Sequence, residues 1–200
     1  MARGQVKMPY ARRDGQLHHV DCPYIANGRL CGCSCPSCGR PVIAKRGSRS
    51  AHHFAHIQFN GNCVYPVLKA LYELTADILR RERRMWLPMI KNPRYCSAQV
   101  WEIEAVSFVS APQEPLPTLI VMIRGTQLWI DLRLRDEPLN GRVALFRSEK
   151  VSAIGIRLSS SSDALTEDAV QRQVLEEGPH KMWLYNAESV EGGRGQAAAA

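Results

Sequence analysis

Cys35 and Cys38 stand two residues apart, with Pro36 between them and Gly39 directly after, so a tight knuckle can aim two thiolates at one point. Fourteen residues separate Cys38 from His53, and His53 and His56 repeat the two-residue gap, giving Cys-x2-Cys-x14-His-x2-His. Thiolate and neutral imidazole are both good donors for zinc, and four protein ligands leave no position for a substrate water. The expectation is therefore a structural zinc site built from Cys35, Cys38, His53 and His56. The fourth ligand is open: Cys63 competes with His56, and Cys31 and Cys33 lie close enough to the knuckle to be alternates.

Residues 40–50, between the two ligand pairs, read as a short strand, a Lys45-Arg46-Gly47 turn and a return strand. Such a hairpin is not stable alone, and a metal contributing roughly 10 to 16 kcal/mol of apparent binding energy can hold it. After a loop, Pro66 suits the first turn of a helix. Val67, Leu68, Leu71, Leu74, Thr75, Ile78 and Leu79 then make one apolar stripe of a helix running to about Met85. That helix is expected to close on the run Arg80 to Arg84, where four arginines exceed what dipole capping needs and point to phosphate contact.

The region beyond Pro88 and Pro93 is richer in strands. Val100 to Val109 alternates loosely, Thr118 to Ile123 is continuously apolar, and Arg124-Gly125-Thr126 reads as a hairpin turn. In the strand that follows, Leu128, Ile130, Leu132 and Leu134 point one way and Trp129, Asp131 and Arg133 the other, so one face is expected to be core and the other open to chemistry. Val143 to Phe146 and Val151 to Leu158 read as further strands, Thr166 as a helix cap, and Met182 to Tyr185 as a last strand before an Ala and Gly rich tail.

Charge divides the chain. Residues 1–100 carry 16 basic and 5 acidic side chains and residues 101–200 carry 10 and 14, a front half at +11 and a back half at −4. A basic front that contains a metal module suggests a polyanion, and DNA is the expected partner. The candidate contacts are Lys45, Arg46 and Arg49 in the ribbon and Arg80, Arg81, Arg83 and Arg84 after the helix stripe. The seven cysteines are odd in number and irregularly clustered, the first residues lack an apolar signal core, and no apolar run approaches a bilayer span. These features predict a cytoplasmic protein with no membrane segment.

The order of parts resembles the competence protein CoiA-like family of bacteria. Cys-Pro-Ser-Cys-Gly at 35–39 and His-Phe-Ala-His at 53–56 match its zinc-ribbon pattern, and Trp-Leu-Tyr-Asn at 183–186 fits the end of its members. The resemblance implies an α+β chain with a small N-terminal zinc ribbon at 17–65 and a restriction-endonuclease-like α/β domain at 66–187, while the sequence on either side reads as a basic arm at 1–16 and a disordered tail at 188–200. It also implies work on DNA during uptake, processing or recombination, alone or with a DNA-processing partner.

In that family pattern the helix carries a His and, four residues later, a Lys; a Pro-Asp and a Glu-x-Lys strand follow. Here Tyr72 and Ala76 stand at the first two positions, Pro117-Thr118 replaces Pro-Asp, and Asp131-Leu132-Arg133 replaces Glu-x-Lys. A metal-dependent nuclease needs two carboxylates for Mg²⁺ and a base-capable group. Asp131 keeps one carboxylate, Thr118 offers only a hydroxyl, and Arg133 stays protonated. The expectation is a degenerate nuclease site, with Mg²⁺ as a cofactor only if the site is active. Glu102, Glu104, Glu114 and Lys91 are candidate replacements that spacing does not select. An active Mg²⁺-dependent deoxyribonuclease and a non-catalytic protein-interaction module are the alternatives.

Overall fold

In the computed structural model, residues 7–58, 63–89, 99–109, 116, 118–134, 142–159, 165–176 and 178–187 are described. The first sheet is built from short strands in the order β2-β1-β3-β4-β5. They are β1 (Tyr10–Arg13), β2 (Gln16–His19), β3 (Gly28–Ser34), β4 (Pro41–Lys45) and β5 (His53–His56). All four pairings are antiparallel. Residues read from sequence as an arm thus contribute a strand, because Tyr10 and Ala11 bury 98% or more of their surface there.

Helix α1 (Pro66–Glu82) follows the expected stripe, but Ala70, Tyr72 and Ala76 are buried too. The burial reaches Tyr72 because its hydroxyl meets Asp131 and the Leu132 N–H, and further contacts touch the helix on its more exposed side. Arg12 of β1 reaches Glu73 at 2.5 Å, while Phe108 lies under the Arg80 guanidinium near the other end. The helix stops at Arg83, which takes a left-handed φ of 50° and turns the chain at once into β6 (Arg84–Leu87). The arginine run is therefore divided among a helix, its cap and a strand.

Val100 to Val109 is two strands, since β7 (Gln99–Glu102) pairs with β6 and β8 (Ala105–Val109) crosses to the second large sheet. That sheet has the order β12-β11-β10-β9-β8 and contains β9 (Thr118–Ile123), β10 (Thr126–Leu134), β11 (Ala153–Leu158) and β12 (Lys181–Tyr185). The β9–β10 hairpin turns on Arg124 and Gly125, both at positive φ, with the Glu104 carboxylate accepting from the Gly125 N–H at 3.1 Å. Strands β10 and β11 are parallel and the other pairs antiparallel.

The segment Val143 to Phe146, read from sequence as a strand, is helical: it belongs to α2 (Val143–Ser148), in the crossover between β10 and β11. Four apolar residues cannot settle helix against strand by periodicity, and here tertiary packing decides. Phe146 packs edge-on against Trp129 at 6.0 Å between ring centroids, so α2 covers the face of β10 that also bears Asp131. Helix α3 (Glu167–Leu175) starts on Thr166, whose hydroxyl accepts from the Ala169 N–H at 3.4 Å.

Buried residues of both large sheets and α1 form one continuous apolar cluster. Among the described residues no helix is long and apolar enough to cross a membrane.

Candidate metal centre and the Asp131 cluster

Gly39, at a φ of 70°, lets the chain reverse after Cys38, and two backbone bonds close the knuckle: Cys35 N–H to Arg40 O at 2.8 Å and Gly39 N–H to Cys35 O at 2.9 Å. Strand β5 brings His56 across to it, placing Nε2 3.3 Å from Cys38 Sγ. Cys63 Sγ arrives 3.5 Å from Cys35 Sγ. Ligand atoms of Cys35, Cys38, His56 and Cys63 all lie within 4.8 Å of one another, and the four could hold a metal ion. A tetrahedral zinc with bonds of about 2.3 Å to sulfur and 2.0 Å to nitrogen has ligand-to-ligand edges of roughly 3.5 to 3.8 Å, and these side chains fit it.

His53, expected in this group, lies outside it, and Cys63, weighed in the sequence as a competitor of His56, joins the group together with His56. The physical reason is that His-Phe-Ala-His is a strand. Residues three apart on a strand point to opposite faces, so His53 and His56 cannot both turn to one ion, and His53 Nδ1 instead lies 2.9 Å from Ala51 O. Cys31 and Cys33 are elsewhere too, with thiols donating to Val42 O and Cys31 O, both at 3.2 Å. Burial, followed by thiol contacts with Cys35 and Cys38, pushes the Cys63 thiol up to about 12. Burial alone would also raise Cys38, but the Arg40 backbone and the Cys63 and Cys35 thiols outweigh it and hold Cys38 below the usual thiol range.

A second cluster forms where β9 and β10 part. Their pairing ends at Leu119↔Ile130, and just beyond it the Leu132 N–H donates to the Tyr72 phenol oxygen at 2.9 Å. Tyr72 donates in turn to Asp131 Oδ1 at 3.2 Å. Arg142, immediately before α2, donates from Nη1 to Asp131 Oδ1 at 2.9 Å and to Tyr72 at 3.1 Å, and from Nη2 to the Thr118 hydroxyl. Arg133 Nε donates to Asp131 Oδ2 at 2.8 Å.

Asp131 has no exposed surface, and Thr118 and Arg142 are 5% and 4% exposed, so the face expected to be open is closed. Burial, then the Asp131 charge, hold the Tyr72 phenol protonated well above its usual range. Sequence reasoning brought Thr118, Asp131, Arg133 and Tyr72 to one place but missed Arg142, which no motif or periodicity marks. Glu104 is taken up at the Gly125 turn and Glu102 is exposed on β7; Glu114 and Lys91 lie outside the described residues. A hydrated Mg²⁺ does not fit beside Asp131, since both carboxylate oxygens and the Thr118 hydroxyl already accept from guanidinium groups.

The arginines proposed for phosphate contact differ in their engagement. Arg81 bonds Glu167 at 3.0 Å and Gln171 at 2.7 Å, and Arg46 bonds Val20 O at 2.6 Å and Cys22 O at 2.9 Å. Arg80 pairs with Asp77 at 2.9 Å. Arg83 reaches Glu104 O at 3.4 Å. Lys45, Arg49 and Arg84 are exposed on β4, the turn after it and β6.

Residues 27–65 match the family model described as Competence protein CoiA, N-terminal domain, a similarity confined to this segment of the 200-residue chain. The matched segment runs from the residue before β3 to the residue before α1 and contains all four members of the metal group. No curated protein and no solved structure matches the chain.

Proposed function

We propose that this chain is a zinc-stabilised, DNA-associated cytoplasmic protein of the competence type, acting in DNA uptake, processing or recombination through a nuclease-like domain that no longer cleaves. The observation that carries the reading is the coincidence of the CoiA-type segment with the Cys35, Cys38, His56 and Cys63 group. Four thiolate and imidazole ligands suit a structural zinc, and the ion would contribute the folding energy that the small first sheet lacks.

Support for lost catalysis comes from the Asp131 cluster. Among the described residues a single carboxylate sits there, wholly buried, with neutral Thr118 and Tyr72 beside it. Two-metal and one-metal phosphodiester hydrolysis both need carboxylates that can hold a cation against the scissile phosphate and a position for an attacking water. Support for DNA association comes from the +11 front half, which attracts a phosphate backbone without reading bases.

The test uses the purified chain on linear and supercoiled DNA with Mg²⁺ or Mn²⁺, alongside a binding titration at low salt. Salt-dependent binding with both DNA forms left intact is expected. Metal-dependent cleavage abolished by Asp131→Asn would promote the deoxyribonuclease reading, and no binding at low salt would favour a protein-interaction module.

A further inference from the structure

We infer that the Arg142 guanidinium is a resident cation at Asp131, filling the position where a metal-dependent site would hold a divalent ion and excluding Mg²⁺ and Mn²⁺ by occupancy. The comparison with a metal site rests on the nuclease-like reading above; the ion lock itself stands on geometry.

One planar group makes all the contacts that a bridging cation would make. Through Nη1 it meets Asp131 of β10 and Tyr72 of α1, and through Nη2 it meets Thr118 of β9, while its own backbone leads α2. Four elements are thereby tied at the fork where β9 and β10 separate. An ammonium is a point charge and a hydrated Mg²⁺ demands octahedral space with several waters, whereas the guanidinium fork reaches divergent acceptors at once in one plane. Arg133 sits on the second carboxylate oxygen, so an incoming divalent ion would also meet two positive charges. Removing the lock leaves Asp131, with no exposed surface, without one of the two guanidinium groups that pair with it in the core.

The Arg142→Ala variant should therefore have a guanidinium-shaped void beside an undercompensated carboxylate, and free guanidinium ion should occupy it. Thermal unfolding of the full, zinc-loaded chain tests this for the wild type, Asp131→Asn, Arg142→Ala and Arg142→Lys. With about 10 mM Mn²⁺, wild type and Asp131→Asn are expected to shift equally, because no Asp131-dependent site is open to the ion. Arg142→Ala is expected to lose on the order of 10 °C in Tm. It should regain a measurable part of that loss in about 50 mM guanidinium, a concentration that slightly lowers the wild-type Tm. Arg142→Lys should fold with a lower Tm than wild type.

A Mn²⁺ stabilisation of the wild type that disappears in Asp131→Asn overturns the inference, as does a folded Arg142→Ala that guanidinium fails to stabilise. Should Arg142→Ala be recovered unfolded, the other arms decide: Arg142→Lys with wild-type stability overturns the lock, and a lower Tm without an Asp131-dependent Mn²⁺ response upholds it. DNA cleavage is scored separately. Cleavage by the wild type defeats the proposed function, while Asp131-dependent Mn²⁺ binding without cleavage defeats the lock alone.

Discussion

Cys63 Sγ lies 3.5 Å from Cys35 Sγ, and Cys63 stands only three residues ahead of the first residue of α1. The Ser37 hydroxyl reinforces that junction by donating to Val64 O at 2.6 Å. The Cys35, Cys38, His56 and Cys63 group therefore joins the first sheet to the segment just before α1, the helix that delivers Tyr72 to Asp131. Whatever disturbs the group is felt at the start of the central helix.

One zinc per chain is expected, lost in Cys35→Ser, Cys38→Ser and Cys63→Ser and retained in His53→Ala. Elemental analysis of the purified variants measures this. Retention in Cys63→Ser together with loss in His53→Ala would contradict the assignment. Chelation should lower the stability of the whole chain, because an ion held by this group would also anchor the start of α1.

Tyr72→Phe should cost about 1 to 3 kcal/mol, since it leaves the buried Leu132 N–H and one Arg142 bond without their oxygen. Urea unfolding with an unchanged m-value is the measurement. A loss below about 0.5 kcal/mol would mean that the phenol oxygen does not hold the fork.

DNA binding should lose salt dependence when Lys45, Arg49 and Arg84 are replaced by Ala, by about 0.9 in the slope of log K against log salt for each phosphate contact removed. Arg81→Ala should instead leave the slope unchanged and lower stability by about 1 kcal/mol or less, because its partially exposed partners are Glu167 and Gln171. Binding titrations across a salt series distinguish the two sets, and the reverse pattern would move the DNA contact to the helix end.

Lys181 should make stability rise with pH. Its amine is buried, with Nζ donating to Trp86 O at 3.1 Å and Glu176 O at 2.7 Å; burial lowers it to about 7, against an opposing pull from Glu176. Between about pH 7 and its ordinary value near 10.5, the unfolded chain binds the proton and the folded chain does not, so stability from this group increases across that window, by up to about 1.4 kcal/mol per pH unit. Comparing urea midpoints of wild type and Lys181→Met over pH 7 to about 9.5 isolates the effect. Parallel pH profiles would show that Lys181 stays charged in the fold.

What sequence alone determined is what depends on neighbours along the chain. The Cys35–Cys38 knuckle follows from Pro36 and Gly39, the α1 stripe from a 3.6-residue period, and the alternation of side chains along β10 from a period of 2, though not which of its faces is open. The Arg124-Gly125 turn and the Thr166 cap are likewise local chemistry. The tertiary structure decided everything that joins distant segments. Equal two-residue gaps made His53 and His56 look like a second knuckle, but pairing with β4 made that segment a strand, which turns the two rings to opposite faces and leaves the place to Cys63. Val143 to Phe146 became helix because Phe146 had Trp129 to cover. Arg142 carries no pattern at all: its role arises because the crossover after β10 returns it to a carboxylate 11 residues back and a hydroxyl 24 residues back, where a buried charge requires a counter-charge that one-dimensional spacing does not specify.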